Sequence, residues 1–316
     1  MTLPPARRQN AQLPQMNGQL FLTYVGAETD LIFNQNVDLP GFATFPLLET
    51  DAGRTLLKGY MNTLIEEARK AGAGVVLESP TWVANRDRGA AIGYSPETLR
   101  DRNIQAIDLM TGIRADNDDI AVVISANVGP RADAYAPSDL MTAREAEAYH
   151  GDQIGALAQT QVDLISGYTI ADVQEAIGIV RAARRHDLPV IIAFTVETDG
   201  RLPTGLPLRE AVQAVDEATD MYAAYFMVNC AHPDHIAPTL TSEPWLLRLR
   251  GIVANASRCS HAELDEATEL DSGNPEEFGA LLARIARAYP HINILGGCCG
   301  TDMRHIRQIA VALRAG

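Results

Sequence analysis

Short runs of apolar, often β-branched residues alternate along this chain with longer stretches in which apolar positions recur every three or four residues. The first pattern reads as strands buried on both faces, the second as amphipathic helices. Strands are expected at 21–23, 75–78, 121–125, 163–166, 190–194, 225–228, 251–254 and 292–295. Helices are expected over 53–70, 95–111, 142–159, 172–185, 208–219, 275–288 and 301–314, with a short one near 235–240. The punctuation agrees: Ser95 and Pro96 make an N-cap with proline at the first helical position, Gly72 follows a helix end, and Pro80 and Pro189 bound strands. Eight strand-then-helix units in 316 residues predict an α/β chain folded as one (β/α)8, or TIM, barrel over 19–316. A doubly wound open sheet is the competitor, but its glycine-rich nucleotide loop follows a strand. Gly72 and Gly74 precede one and lack the third glycine. Residues 1–18, with their prolines and amides, are expected to form a loosely ordered N-terminal arm.

Composition narrows the function. A hydrophobic fraction of 47% and a charged fraction of 21% suit a soluble chain with a full core. A net charge of −14 argues against nucleic acid as a partner, because phosphate binding needs clustered Lys and Arg. No apolar run reaches the roughly 20 residues of a membrane span. The N-terminal stretch has no apolar core of a secretory signal, so a cytoplasmic location is expected. Thiols stay reduced there, and the four cysteines are read as ligands or nucleophiles.

All four cysteines follow strands, at the end where barrels of this kind place their chemistry. Cys230 follows the sixth strand, Cys259 the seventh, and Cys298 and Cys299 the eighth, within a Gly-Gly-Cys-Cys-Gly-Thr run from Gly296 to Thr301. Vicinal cysteines between glycines suit a shared metal ion, and zinc takes thiolates in tetrahedral geometry. Cys259 is read as an extra ligand, a reactive thiol or a plain loop residue. His232 and His235 are read as loop or helix-start positions, and His261, His291 and His305 as surface or helix positions. Acidic residues also reach strand ends: Glu28 and Asp30 after the first, Glu78 at the second, Glu197 and Asp199 after the fifth. A carboxylate pair suited to glycoside hydrolysis would leave the sulfurs unexplained, whereas Glu28 and Asp30 can hold a cationic amine.

Asn229-Cys230 at one strand end and the Gly296–Thr301 run near the C-terminus resemble the homocysteine S-methyltransferase family. The resemblance extends from about Leu20 to Arg314 and includes the loop that begins at Gly26 and the segments 192–195 and 200–205. It implies zinc held by Cys230, Cys298 and Cys299, a small-molecule thiol at the fourth position, and a methyl donor of sulfonium or ammonium type. Homocysteine is the default acceptor and methionine the product, a step of methionine biosynthesis. Tyr24 aligns with an Asp that the family commonly carries, and Tyr168 with a Glu that helps hold the substrate ammonium. Tyr24, Glu28, Glu78, Tyr168 and Asn229 are therefore the candidate substrate-binding residues. The alternative reading is a non-catalytic or repurposed metal- or thiol-binding barrel.

Overall fold

The computed structural model describes residues 13–135 and 140–315. Eight parallel strands close into one barrel in sequence order: β1 (Phe21–Thr23), β2 (Gly74–Glu78), β3 (Val122–Val128), β4 (Leu164–Ile170), β5 (Val190–Thr195), β6 (Tyr225–Asn229), β7 (Leu249–Ala254) and β8 (Ile294–Gly297). The last strand pairs with the first, Leu295 beside Leu22. The expected (β/α)8 architecture is the observed one.

The strands are short because each needs only to cross the barrel wall, and nearly every residue in them is buried. Side chains alternate between the interior and the layer under the helices. The inward positions begin with large apolar groups at the N-terminal end, including Phe21, Val76, Leu164, Tyr225 and Ile294. Two and four residues later the inward positions turn polar: Thr23, Glu78, Ser125, Ser166, Thr195 and Asn229, all buried. The lower barrel is thus a packed plug, and the upper barrel is a polar cup opening at the C-terminal mouth.

Outward positions meet the helices. The helix Leu208–Ala218 buries Leu208, Ala211, Val212 and Val215 at helical spacing. The helix Met303–Arg314 does the same with Ile306, Ile309 and Ala310. Each leucine, valine or isoleucine among them contributes about 1.5–3 kcal/mol on burial. The two long helices Asp51–Ala71 and Pro96–Ala115 start at side-chain caps on Thr50 and Ser95.

Three differences from the sequence reading have local causes. The turn after β6 uses the short helix Pro233–Ile236 and a 3-10 turn, with a second 3-10 turn at Pro244–Arg248, because prolines interrupt any longer helix. β3 and β4 run longer than expected, through Val128 and Ile170, since their polar upper residues point into the cup rather than to solvent. Residues 13–18, read as part of a loose arm, are packed. Leu13 and Gln15 are buried under the barrel, Gln15 Nε2 donates to the Tyr225 hydroxyl at 3.2 Å, and Asn293 Nδ2 donates to the Gln15 carbonyl at 2.9 Å. The remainder of that arm, 1–12, lies outside the described residues.

Candidate metal centre and barrel mouth

Cys230 comes directly after β6, and Cys298 and Cys299 directly after β8. Their sulfurs converge. Cys230 Sγ lies 2.7 Å from Cys298 Sγ and 3.9 Å from Cys299 Sγ, and all three are within 4.8 Å of one another. β7 stands between the two ligand strands and sets the spacing. Its Val253 carbonyl accepts the Cys230 N–H at 3.1 Å, and its Ala254 carbonyl accepts the Cys298 N–H at 2.7 Å. Just beyond β7, the Ala256 N–H donates to the Cys299 carbonyl at 3.0 Å.

The glycines of the eighth-strand loop have specific work. Gly300 has φ +77°, in the left-handed region that favours glycine. Across the loop, Gly26 approaches so closely that a Cβ there would sit 2.1 Å from the Cys298 carbonyl oxygen. Thr301 joins the two segments: its hydroxyl donates to the Cys298 carbonyl at 2.7 Å and accepts the Gly26 N–H at 3.0 Å. The cap of the last helix is Asp302, which accepts the Arg304 N–H at 2.8 Å.

Three thiols this close cannot all ionise alone. The Cys230 thiol is driven well down by hydrogen bonds from Cys298 and then Cys299, while Cys298 and Cys299 are driven up, chiefly by their bonds to Cys230. Ionising one of the three sulfurs thus opposes ionising the other two. A divalent cation is what lets such a set carry three charges. The donor set is soft, three-membered and buried at Cys230 and Cys298, with Cys299 partly exposed toward the mouth, which fits a zinc site with one position left for a substrate.

Four of the expected substrate residues lie in or beside the polar cup. Tyr24 has φ +20° and directs its hydroxyl onto the Glu28 carboxylate. Burial pushes both the Tyr24 phenol and the Glu28 carboxyl up. The Tyr168 ring lies 6.1 Å from that of Tyr24, with its hydroxyl buried and lacking a hydrogen-bond partner of good geometry. Glu78 accepts from Ser166 Oγ at 2.6 Å, which in turn accepts from Ser125 Oγ at 2.8 Å. Burial outweighs those bonds and pushes its carboxyl up to about 7. Glu28, Tyr24 and Glu78 line one cleft beneath Leu57 and Tyr60.

Asn229 bonds to the end of β4. Its Oδ1 accepts the Thr169 N–H at 2.9 Å and its Nδ2 donates to Thr169 Oγ1 at 2.7 Å, which leaves one N–H and one lone pair of the amide for a further partner. It pins the irregular end of β4, where Thr169 has φ +61°. Cys259 is corrected as a ligand: it is exposed and outside the three-sulfur group.

Sequence reasoning missed what surrounds Cys230. His261 and His305 are buried on their helices, not at the surface. His261 places Nε2 2.6 Å from the Cys230 carbonyl and Nδ1 3.0 Å from Glu197 Oε1. The Tyr135 ring stacks on it at 4.0 Å. No spacing in the chain signals this meeting of three separate loops. His232 caps the helix Pro233–Ile236, as a helix-start residue should.

Comparison with known proteins bears on family and fold. A family model described as "Homocysteine S-methyltransferase" matches residues 27–313. The homocysteine methyltransferase MmuM of Escherichia coli, in its metallated form, superposes with a TM-score of 0.68 at 16% identity, covering 99% of this chain and 100% of that one. Its oxidized form gives 0.67 at 16% identity, with 98% and 99% covered. At that identity the likeness concerns the fold. A methionine synthase of Mycobacterium leprae is 29% identical over 142 residues. That match takes in 42% of this chain and spans only 10% of the relative's length.

Proposed function

The chain belongs to the homocysteine S-methyltransferase family, and on that premise we propose that it moves a methyl group from a sulfonium or ammonium donor to a thiol acceptor, homocysteine by default, giving methionine. Zinc held by Cys230, Cys298 and Cys299 belongs to the same proposal. The observation that carries it is the convergence of three thiols from two strand ends within 4.8 Å, at the mouth of the barrel. When bound, zinc supplies the Lewis acidity that keeps an acceptor thiol ionised near neutral pH. The acceptor sulfur then attacks the methyl carbon in line. The new S–C bond forms as the donor's S–C or N–C bond breaks, and the donor leaves neutral.

The chain's own residues bind and orient. Glu28 and Glu78 offer the carboxylates that positions 24 and 168 lack, with Tyr24 steering Glu28 and Ser166 steering Glu78. An ammonium group bound between them would hold both ionised. Orientation in a dry cleft then lowers the entropic part of the barrier. One observation favours a second acceptor class: Tyr24 and Tyr168 are neutral phenols facing the cup, and losing a charge-assisted hydrogen bond costs about 1.5–3 kcal/mol.

The test is direct. Reduced protein prepared with zinc is analysed for metal and incubated with homocysteine and S-methylmethionine. Stoichiometric zinc with methionine formation supports the proposal, and Cys298→Ala should lose both while keeping the barrel's circular dichroism. Turnover of a simple thiol lacking an amine in preference to homocysteine would select the second acceptor class. Absence of bound zinc would overturn the metal assignment.

A further inference from the structure

Cys230 has a backbone that its own chemistry does not favour. Its φ is +54°, in the left-handed region, and it is not a glycine. A residue held there costs of order 1–3 kcal/mol and persists only where its surroundings over-determine it. What surrounds it is unusually complete. The Cys230 N–H is taken by the Val253 carbonyl. The Cys230 carbonyl accepts from His261 Nε2 at 2.6 Å and from the Thr195 hydroxyl at 3.4 Å. Cys298 and Cys299 rest on β7 and the segment just after it, whereas the Cys230 carbonyl rests on an imidazole.

That imidazole is itself fixed on three sides. Ser260 caps the short helix His261–Asp265, so the His261 backbone is set at a helix start. Glu197, from the loop after β5, holds Nδ1 at 3.0 Å. Tyr135, from the loop after β3, stacks on the ring with 27° between planes. His261 is 4% exposed. The loops after β3, β5 and β7 thus meet at one imidazole, which reaches the Cys230 carbonyl.

We infer that His261 is a positioning residue for the metal centre: anchored by Glu197 and Tyr135, it clamps the Cys230 carbonyl and so fixes the direction of the Cys230 sulfur. The inference rests on the reading of Cys230 as a metal ligand. Partners that orient a ligand are worth about 10–100-fold in metal affinity. Glu197 acts one step further out and gives a smaller effect through the same ring.

The experiment measures zinc affinity by chelator competition and the visible spectrum of the cobalt(II)-loaded protein. It compares wild type, His261→Ala, His261→Gln, Glu197→Gln and the double variant Glu197→Gln/His261→Ala. His261→Ala should bind zinc about 10–100-fold more weakly and show an altered cobalt spectrum, with metal-free thermal unfolding close to wild type. His261→Gln, which keeps a donor, should recover part of both. Glu197→Gln should weaken binding by a smaller factor, and that factor should vanish in the double variant. If His261→Ala folds poorly, Glu197→Gln carries the test by itself. Wild-type affinity and spectrum in either His261→Ala or Glu197→Gln would overturn the inference. A wild-type protein that takes up neither metal would overturn the underlying metal assignment, which is a separate failure.

Discussion

At Glu78, burial and hydrogen bonding pull one carboxyl in opposite directions, and burial wins. Its value of about 7 lies above the ordinary carboxylate range. A group raised on folding adds stability that is complete below its unfolded pKa and is lost as pH rises through the folded one. For Glu78 that window runs from about pH 4.5 to 7 and amounts to roughly 3–4 kcal/mol. Urea unfolding of the reduced, metal-free protein across this range should therefore show wild type losing stability relative to Glu78→Gln as pH rises. Equal slopes in the two proteins would contradict the assigned burial. The same residue scale shows what a sequence makes visible. Cys230, Cys298 and Cys299 were legible because cysteine is scarce in this chain and two of them sit between glycines. The bond between Asn229 and Thr169, 60 positions apart, had no signal in the sequence, because it joins the ends of two strands that meet only in the closed barrel. Tyr135 and His261 carried no signal, since their contact exists only once separate loops have folded over the mouth.

Elements translate such contacts into a shaped mouth. The loop after β1 and the loop after β8 interlock through Gly26, Thr301 and the Cys298 carbonyl. Gly26→Ala would drive a methyl group into that carbonyl. The expected outcome is a lower melting temperature together with weaker zinc binding, read by calorimetry and chelator competition. A variant with normal metal affinity would show the two loops to be independent. Helix starts are more forgiving. The helix Ala143–Leu157 opens with a full capping box between Thr142 and Glu145, and Thr142→Ala should cost about 1 kcal/mol by chemical denaturation without altering the metal centre. Helix starts at Ser95 and Thr142 were readable from local residue types. The lengths of β3 and β4 were not, because polar residues facing an enclosed cup look in the sequence like residues facing water.

On the scale of the whole molecule, the barrel is closed below and open above. The lower closure depends on residues 13–17, whose 3-10 turn brings Leu13 and Gln15 under the plug. Leu13→Ala should destabilise by about 2–3 kcal/mol, within the range for buried leucines, measured by urea unfolding. An effect near zero would restore the expectation of a loose arm for this segment. The eightfold alternation made the architecture readable from sequence, since no other common fold repeats a buried strand and a helix eight times. The packing of the N-terminal turn was hidden, because a proline-rich, amide-rich stretch has no periodicity to betray it.

Cys230 and Cys298 are held by strands on either side of β7, and β8 also seals the ring against β1. A chain halted before its eighth strand owns one of the three sulfurs and no seam. If these sulfurs hold a metal as proposed, its tight capture would be a late event, available only to molecules whose ring is complete. Ion binding would feed back on that last step, favouring the finished ring by mass action. Metal content would then serve as a count of properly completed chains, a quality mark written into the same atoms proposed to do the chemistry.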